Sequence, residues 1–218
     1  MENDPETHLL AEKRRLLEAL LSHVGFDGWT GQALARAARD CGFDAGMAAR
    51  VFPGGAFDAL DFWVRETDAA MIAAFEARDG AALKIRDRIA LAVMLRLEIA
   101  APHREALRRA LALAPLPHLA PRFLAQLYRT VDAVWYAAGD TATDFNFYSK
   151  RLLLAGVYSA TLLTWLDDNS EGFAATRGFL ARRIEDVMKI QKARGGLDKL
   201  LSRLPDPRRF AKRLRPTG

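Results

Sequence analysis

Histidines and acids are the side chains most able to do metal or acid–base chemistry, and their spacing in this sequence supports neither. None of the four histidines has a Glu three residues before it, and no two are spaced as His-x-x-x-His; they are His8, His23, His103 and His118. A carboxylate di-metal bundle needs repeated Glu-x-x-His motifs, because these place the ligands on one helix face. The sequence also has no G-x-S-x-G nucleophile motif and no glycine-rich phosphate loop. We therefore expect no enzyme, no metal site and no cofactor.

Cys41 and Glu98 could also be reactive groups, but a structural role explains each of them more simply. Cys41 is the single cysteine, which excludes an intramolecular disulfide and a cysteine-based zinc site. Its apolar helical surroundings predict a buried thiol without a chemical role. Glu98 is an acid in the apolar helix LRLEIA. It is either a buried acid with a role or a residue that caps or pairs with an arginine, and we favour the second interpretation.

The candidate residues lie in segments whose apolar residues recur at helical spacing, and no segment shows a convincing strand pattern. The first helix has one apolar stripe, formed by Leu16, Leu17, Leu20, Leu21 and Val24. Thr30 is expected to cap a second helix, and a third is expected over about 44–52, before a Pro-Gly-Gly turn. Longer helices are predicted over 84–100, 120–137 and 171–193, the last ending at Gly195-Gly196. The predicted fold class is all-α.

The first three helices suggest a helix-turn-helix-like head, and this arrangement resembles the TetR regulators. The resemblance implies a small N-terminal head, a helical ligand-binding body and, as is common for TetR bodies, a homodimer. We predict a degenerate head over 1–55, a helical lipid-binding body over 56–195 and a tail over 196–218. A TetR-type ligand-responsive transcriptional regulator is therefore the alternative function.

The charge of the head argues against that alternative. Residues 26–60 contain three arginines and four aspartates, which favours little counterion release on a nucleic acid. The third helix, DAGMAARVF, opens with Asp44, although a helix N-terminus normally attracts phosphate. Its other polar side chain is Arg50, so few groups are available to contact bases. We expect no nucleic-acid partner and a head retained for structural reasons.

The basic character of the chain is confined to its C-terminus. Residues 192–218 hold nine basic and two acidic residues, although the whole chain has a net charge of only +5. An apolar stripe with helical spacing runs through the same segment, which is typical of an amphipathic segment on an anionic membrane. The alternatives are a solvated basic tail or a helix docked on the body. The predicted membrane-binding residues are Leu197, Leu200, Leu201, Leu204, Arg208, Arg209, Phe210, Lys212, Arg213 and Leu214.

Three segments of the body, 89–99, 123–136 and 152–166, are too apolar for surface helices. The longest rises about 22 Å, which is shorter than the roughly 30 Å hydrocarbon core of a bilayer. Such helices either line a cavity or form a filled core, and periodicity cannot distinguish the two. A cavity with few polar groups would suit an isoprenoid or acyl chain. Its predicted walls are Leu91, Met94, Leu95, Leu127, Val131, Leu153, Val157 and Leu162.

One stretch carries a specific family resemblance. VWYAAGDTATDFNFYSKRLLLAGVYSATLLTWLDD, at 134–168, resembles the characteristic motif of the Coq-nine family, the TetR-like lipid-binding accessory proteins of ubiquinone biosynthesis. EGFAATRGFLARRIEDVM at 171–188, LRLE at 95–98 and FPGG at 52–55 extend it over nearly the whole chain.

The resemblance implies a non-enzymatic protein that binds a lipid such as an isoprenoid, quinone or phospholipid. It also implies membrane lipids and the di-iron demethoxy-ubiquinone hydroxylase as partners, with a docking patch at Asp132, Val134, Trp135, Asp144, Phe147 and Tyr148. Phe147 stands where many relatives have Trp, so an N–H donor is lost there. Because no organelle transit peptide is evident, we expect a bacterial member, cytoplasmic and peripheral at the inner membrane.

Overall fold

The computed structural model describes residues 5–78, 83–139 and 146–201, and within these ranges every regular element is a helix. The all-α prediction is confirmed. Two 3₁₀ turns, Ala101–His103 and Glu171–Phe173, supplement the α-helices. These are α1 (Pro5–Asp27), α2 (Gly31–Asp40), α3 (Ala45–Val51), α4 (Ala56–Glu76), α5 (Ile85–Ala100), α6 (Arg104–Leu111), α7 (Ala120–Ala137), α8 (Asn146–Asp167) and α9 (Ala174–Leu201).

The head consists of α1–α3; α2 starts at the predicted Thr30 cap, and α3 starts at a cap formed by Asp44. The Thr30 hydroxyl accepts a hydrogen bond from the amide of Ala33 (3.1 Å), and the Asp44 carboxylate accepts one from Met47 (2.7 Å). Each cap satisfies a backbone donor that the first helical turn leaves open. The predicted stripe of α1, from Leu16 to Val24, is buried throughout. Cys41 is a buried free thiol, and burial raises its pKa.

Aromatic side chains join the head to the body. The indole N–H of Trp29, which precedes α2, donates to the carbonyl of Ala106 in α6 over 2.9 Å. Trp29 also stacks on Trp63 of α4, with ring centroids 5.7 Å apart, and His103 meets the other ring edge-on at 6.2 Å. Burial at this junction lowers the pKa of His103. Head and body therefore share one continuous apolar core.

The turn between α8 and α9 is organised by a single buried carboxylate. Asp168 accepts hydrogen bonds from the amide and hydroxyl of Ser170 (2.8 and 2.6 Å) and from the amide and hydroxyl of Thr176 (2.8 and 2.6 Å). These four donors hold the pKa of Asp168 far below its ordinary value, the side-chain bonds from Ser170 and Thr176 contributing most. The carboxylate thereby fixes the start of α9 against the end of α8.

The prediction that the last helix ends at Gly195-Gly196 is wrong, because α9 continues to Leu201. Glycine costs a helix about 1 kcal/mol relative to alanine, but it does not forbid helical dihedral angles. The leucines that follow the glycines keep the helical spacing. The first residues of the predicted tail are therefore a continuation of α9.

We predict that Asp168→Ala lowers the free energy of unfolding by about 1–3 kcal/mol at neutral pH, since four donors lose their acceptor. The folded-state pKa of Asp168 is depressed. Its contribution is therefore present above the unfolded pKa of about 3.9 and is lost as the pH falls below it. Urea unfolding of both proteins over this pH range measures the difference.

Asp167→Ala is the matched control, because the neighbouring side chain is 79% exposed and forms a surface ion pair with Arg108. Its loss should cost less than about 1 kcal/mol. Equal costs for the two variants, or a difference that stays constant into acid, would contradict the assigned role of Asp168.

Candidate functional site

Helix α8 separates two apolar cavities. The first lies between α5, α8 and α9 and has a volume of about 380 Å³; the second lies between α4, α6, α7 and α8 and has a volume of about 460 Å³. Adjacent residues of α8, Val157 and Tyr158, belong to the first and the second wall respectively. Both volumes are in the range of small-molecule sites. The body therefore has two partly open cavities beside its packed apolar core.

The first cavity has an apolar interior and basic residues in its lining. Ile89 of α5, Leu154 of α8 and Val187 of α9 contribute to its walls. Lys84, Arg86 and Lys150 supply the positive charge, and the Lys150 ammonium lies 5.7 Å from the centre of the Trp135 ring. This composition suits an amphiphile whose polar end stays near the basic residues while its chain lies inside.

The second cavity has leucine and alanine walls and a polar group at its buried side. Leu107, Phe123 and Leu162 represent the apolar lining, and Arg96, which is 4% exposed, also lines the cavity. A charged side chain buried this deeply must be paired, because an isolated buried charge costs several kcal/mol or more. Its partners come from three other helices.

The Arg96 guanidinium is held by Asp68 of α4, Thr130 of α7 and Tyr158 of α8. Nε donates to Asp68 over 2.6 Å, one terminal nitrogen donates to the Tyr158 hydroxyl over 2.5 Å, and the other donates to Thr130 over 3.3 Å. The Thr130 hydroxyl in turn donates to the Asp68 carboxylate at 3.1 Å. Burial raises the pKa of Tyr158, so its phenol keeps its proton. We call these four residues the Arg96 cluster.

Only some of the predicted lipid-binding residues reach a cavity. Leu153 and Val157 line the first cavity, and Leu127 and Leu162 line the second. Met94, Leu95 and Val131 are buried in the core, Leu91 is half-buried against it, and none of these four lines either cavity. On helices buried over most of their circumference, periodicity identifies inward residues but not which of them face an empty space.

The predicted docking residues are divided between a buried wall and a surface. Val134 is buried, Trp135 is buried and lines the first cavity, and Tyr148 is 71% exposed. Asp132 pairs with the buried Arg151 over 2.6 Å. Phe147 lies in the first turn of α8, but its side chain and the whole of Asp144 lie outside the described residues. Tyr136, which is 67% exposed, adds an aromatic ring outside the predicted docking patch.

Two buried arginines were missed at the sequence level. Arg96 and Arg151 are 4% and 6% exposed, yet they look like ordinary surface positions when read alone. The available signal was an arginine within the apolar run of α5, which leaves no exposed face for it. Glu98, two residues further on, pairs with Arg177 of α9, so the prediction of an arginine partner for this acid is confirmed.

The predicted membrane-binding residues are only partly covered by the structure. Leu197, Leu200 and Leu201 belong to α9, although their side chains are not described. Leu204, Arg208, Arg209, Phe210, Lys212, Arg213 and Leu214 lie outside the described residues. Within the described ranges, no helix is long and apolar enough to cross a bilayer. The same ranges contain no group of three or more His, Cys, Asp or Glu residues arranged to hold a metal ion.

Comparison with known proteins gives a consistent family match. The family model described as COQ9 matches residues 120–191, which include α7, α8 and much of α9. The ubiquinone biosynthesis protein COQ9, mitochondrial, of Drosophila melanogaster is 32% identical over 83% of this chain. The proteins of the same name from Homo sapiens and Rattus norvegicus are 34% and 35% identical over 82% of it.

The match covers only part of the length of these relatives. The aligned region spans 56% of the Drosophila protein and 58% of the human protein, so the chain corresponds to somewhat more than half of each. All three relatives are mitochondrial proteins of eukaryotes. This finding overturns the prediction of a bacterial protein that is cytoplasmic and peripheral at the inner membrane.

A solved structure supports the fold. The TetR transcriptional regulator from Nitrosomonas europaea superposes with a TM-score of 0.66, covering 79% of this chain and 95% of the regulator. At 20% sequence identity this similarity concerns the fold alone, and it confirms the TetR-like architecture with its helix-turn-helix-like head. The predicted resemblance to the Coq-nine family is likewise confirmed by the relatives, and the chain belongs to the COQ9 family.

Proposed function

We propose that this protein acts in ubiquinone biosynthesis as a non-enzymatic lipid-binding accessory protein. It takes up a polyprenyl quinone intermediate at a membrane and presents it to the di-iron demethoxy-ubiquinone hydroxylase. The pathway is that of the named relatives; the lipid, the membrane contact, the hydroxylase partner and a homodimer are proposed here. We propose no nucleic-acid partner, in keeping with the acidic balance of the head.

The observation that carries this proposal is the position of the first cavity. Trp135 of the predicted docking patch forms part of its wall, and Lys150, two residues after the exposed Tyr148, also lines it. A lipid in this cavity would lie next to the surface through which the partner is expected to dock. Aromatic residues with a large apolar area are frequent anchors of such interfaces.

Helix α9 connects the same cavity to the proposed membrane contact. Ile184, Val187 and Met188 line the cavity, and the helix continues to Leu201, which belongs to the predicted membrane-binding stripe. At 1.5 Å per residue, the thirteen positions from Met188 to Leu201 span about 20 Å. The proposed route therefore runs from the membrane along α9 into the cavity, and from there to the docking surface.

We predict that Leu153→Trp lowers the isoprenoid or quinone bound per chain at least twofold, because the larger ring occupies the first cavity. Native mass spectrometry of gently purified protein, followed by lipid extraction, measures the bound lipid. Leu152→Trp is the control, since this neighbouring leucine is 77% exposed and lines neither cavity. Equal lipid content in the two variants would argue against the first cavity as the lipid site.

For the docking patch, we predict that Phe147→Glu weakens association with the hydroxylase at least tenfold, because it places a charge in an aromatic interface. Purified proteins and surface plasmon resonance give the affinity. Phe26→Glu makes the same substitution at a phenylalanine of the head that is 88% exposed, and it should leave the affinity unchanged. An unaltered affinity for Phe147→Glu removes this part of the proposal.

For the tail, truncation after Leu201 retains α9 and removes residues 202–218. We predict that the truncated protein no longer binds phosphatidylglycerol-rich vesicles in a flotation assay. Each basic residue near an anionic surface contributes about 1 kcal/mol, and this contribution is screened by salt. The full chain should bind less tightly at high salt and weakly to neutral phosphatidylcholine vesicles. Undiminished binding by the truncated protein would exclude residues 202–218 as the contact.

A further inference from the structure

The predicted docking patch has two halves, one on each of two helices. Val134 and Trp135 belong to the C-terminal part of α7, whereas Phe147 and Tyr148 belong to the first turn of α8. Residues on two helices form one surface only if the helices keep a fixed rotation and depth relative to each other. The contact that fixes the start of α8 on α7 therefore decides whether the two halves present a common face.

Arg151 of α8 makes this contact with Asp132 of α7. Its Nε and one terminal nitrogen lie 2.8 and 2.6 Å from the same carboxylate oxygen of Asp132. The Arg151 side chain is 7% exposed, whereas that of Asp132 is 50% exposed. The preceding residue, Lys150, places its ammonium 5.7 Å from the centre of the Trp135 ring. Two successive residues of α8 thus contact two residues of α7 that are three positions apart and therefore neighbours on its surface.

The place of Arg151 within α8 links this ion pair to the aromatic half of the patch. Phe147 and Tyr148 precede Arg151 by four and three residues, so both positions are its neighbours on the helix surface. A guanidinium held at Asp132 therefore sets the rotation of the turn that carries both aromatics. Arg151 itself is too buried to contact a partner, so its effect on docking passes through this alignment.

The chemistry of the pair suits alignment better than stability. Taking a guanidinium out of water is costly, and well-packed apolar residues in place of a buried ion pair are often equally or more stable. An apolar side chain at position 151 would bury well, but apolar contacts tolerate a small slide or rotation of the helix. Two N–H groups that converge on one oxygen tolerate less, because hydrogen bonds weaken steeply with misalignment. The pair therefore specifies one arrangement of α8 on α7.

We propose that Arg151 is a positioning residue of the docking patch, which acts through Asp132 to hold the first turns of α8 in register with α7. This role rests on the proposed docking function. Arg151 contributes no contact to the partner, but it keeps the free protein in the arrangement that binds. Its loss lowers the fraction of molecules competent to bind, and the apparent affinity falls in the same proportion.

Surface plasmon resonance with the full chain and the purified di-iron hydroxylase tests this role. Arg151→Met removes the charge and retains a long apolar side chain. We expect the affinity to fall about five- to tenfold, chiefly through a lower association rate, because fewer molecules are competent to bind. Phe147→Glu, which changes the patch itself, should act mainly on the dissociation rate. Arg151→Lys should lose less affinity than Arg151→Met, since one ammonium can bind the single oxygen that accepts both N–H groups.

A double-mutant cycle tests whether Arg151 acts through Asp132. Asp132→Asn and Arg151→Met break the same contact, so the double variant should lose no more affinity than the more affected single variant. Additive losses would show that the two residues contribute separately to docking, and they would overturn the proposal.

Asp168→Ala is the stability control, because it weakens the opposite end of α8, about 25 Å along the helix from Arg151. At a temperature where both variants are fully folded, it should leave the affinity for the hydroxylase unchanged. Hydrogen exchange locates the two effects without the partner. Amides at 150–154 should exchange faster in Arg151→Met, whereas Asp168→Ala should affect only the amides near its own turn.

The proposal is overturned if Arg151→Met binds as tightly as the unsubstituted chain, or if Asp168→Ala weakens binding to the same extent. A loss of affinity that lies entirely in the dissociation rate, or unchanged exchange at 150–154, would also contradict it. If the unsubstituted chain does not bind the hydroxylase, the proposed docking function fails and this role fails with it. Failure of the positioning role alone is recognised by full affinity in the Arg151 variants.

Discussion

The body of this protein depends on one buried positive charge. Arg96 lies in the C-terminal half of α5, and it pairs with one residue from each of three neighbouring helices, Asp68 of α4, Thr130 of α7 and Tyr158 of α8. Removing Asp68 would cost about 3–5 kcal/mol, because the guanidinium charge would be left without compensation, and the hydrogen bonds to Thr130 and Tyr158 each contribute about 1.5–3 kcal/mol. Each helix is therefore held at the depth and rotation that bring its partner to the guanidinium. Apolar packing alone tolerates small shifts of this kind, but a hydrogen-bonded charge does not.

Helical periodicity and caps predicted the helices well, whereas contacts between residues far apart in the sequence could not be predicted. Helix α7 was predicted at its observed bounds, and the Thr30 cap was predicted because a cap acts within one helical turn. Pairs such as Arg96 with Tyr158 join residues 62 positions apart, and nothing in a helical pattern indicates such a pairing. The extent of α9 was underestimated because glycine was taken as a stop where it is only unfavourable.

The residues that line the cavities could not be predicted from the sequence for the same reason. Leu127 and Leu153 were both correctly recognised as unsuited to an exposed surface, yet they line different cavities. Met94, with the same apolar character, lies in the filled core. Whether an inward residue faces an atom or an empty space depends on the summed volumes of all its neighbours. The position of α8 between the two cavities is a property of the assembled body and of no single segment.

The junction at Trp29 has a consequence for how the chain can change over evolutionary time. The Trp29 indole N–H donates to the α6 backbone, and its ring stacks on Trp63 of α4. The head therefore contributes part of the apolar core against which the body helices pack. Deleting the head would remove Trp29, expose Trp63 and leave the Ala106 carbonyl without the indole donor. Purifying selection on the apolar face of the head is thus expected even where its outer surface drifts freely, because that face belongs to the shared core.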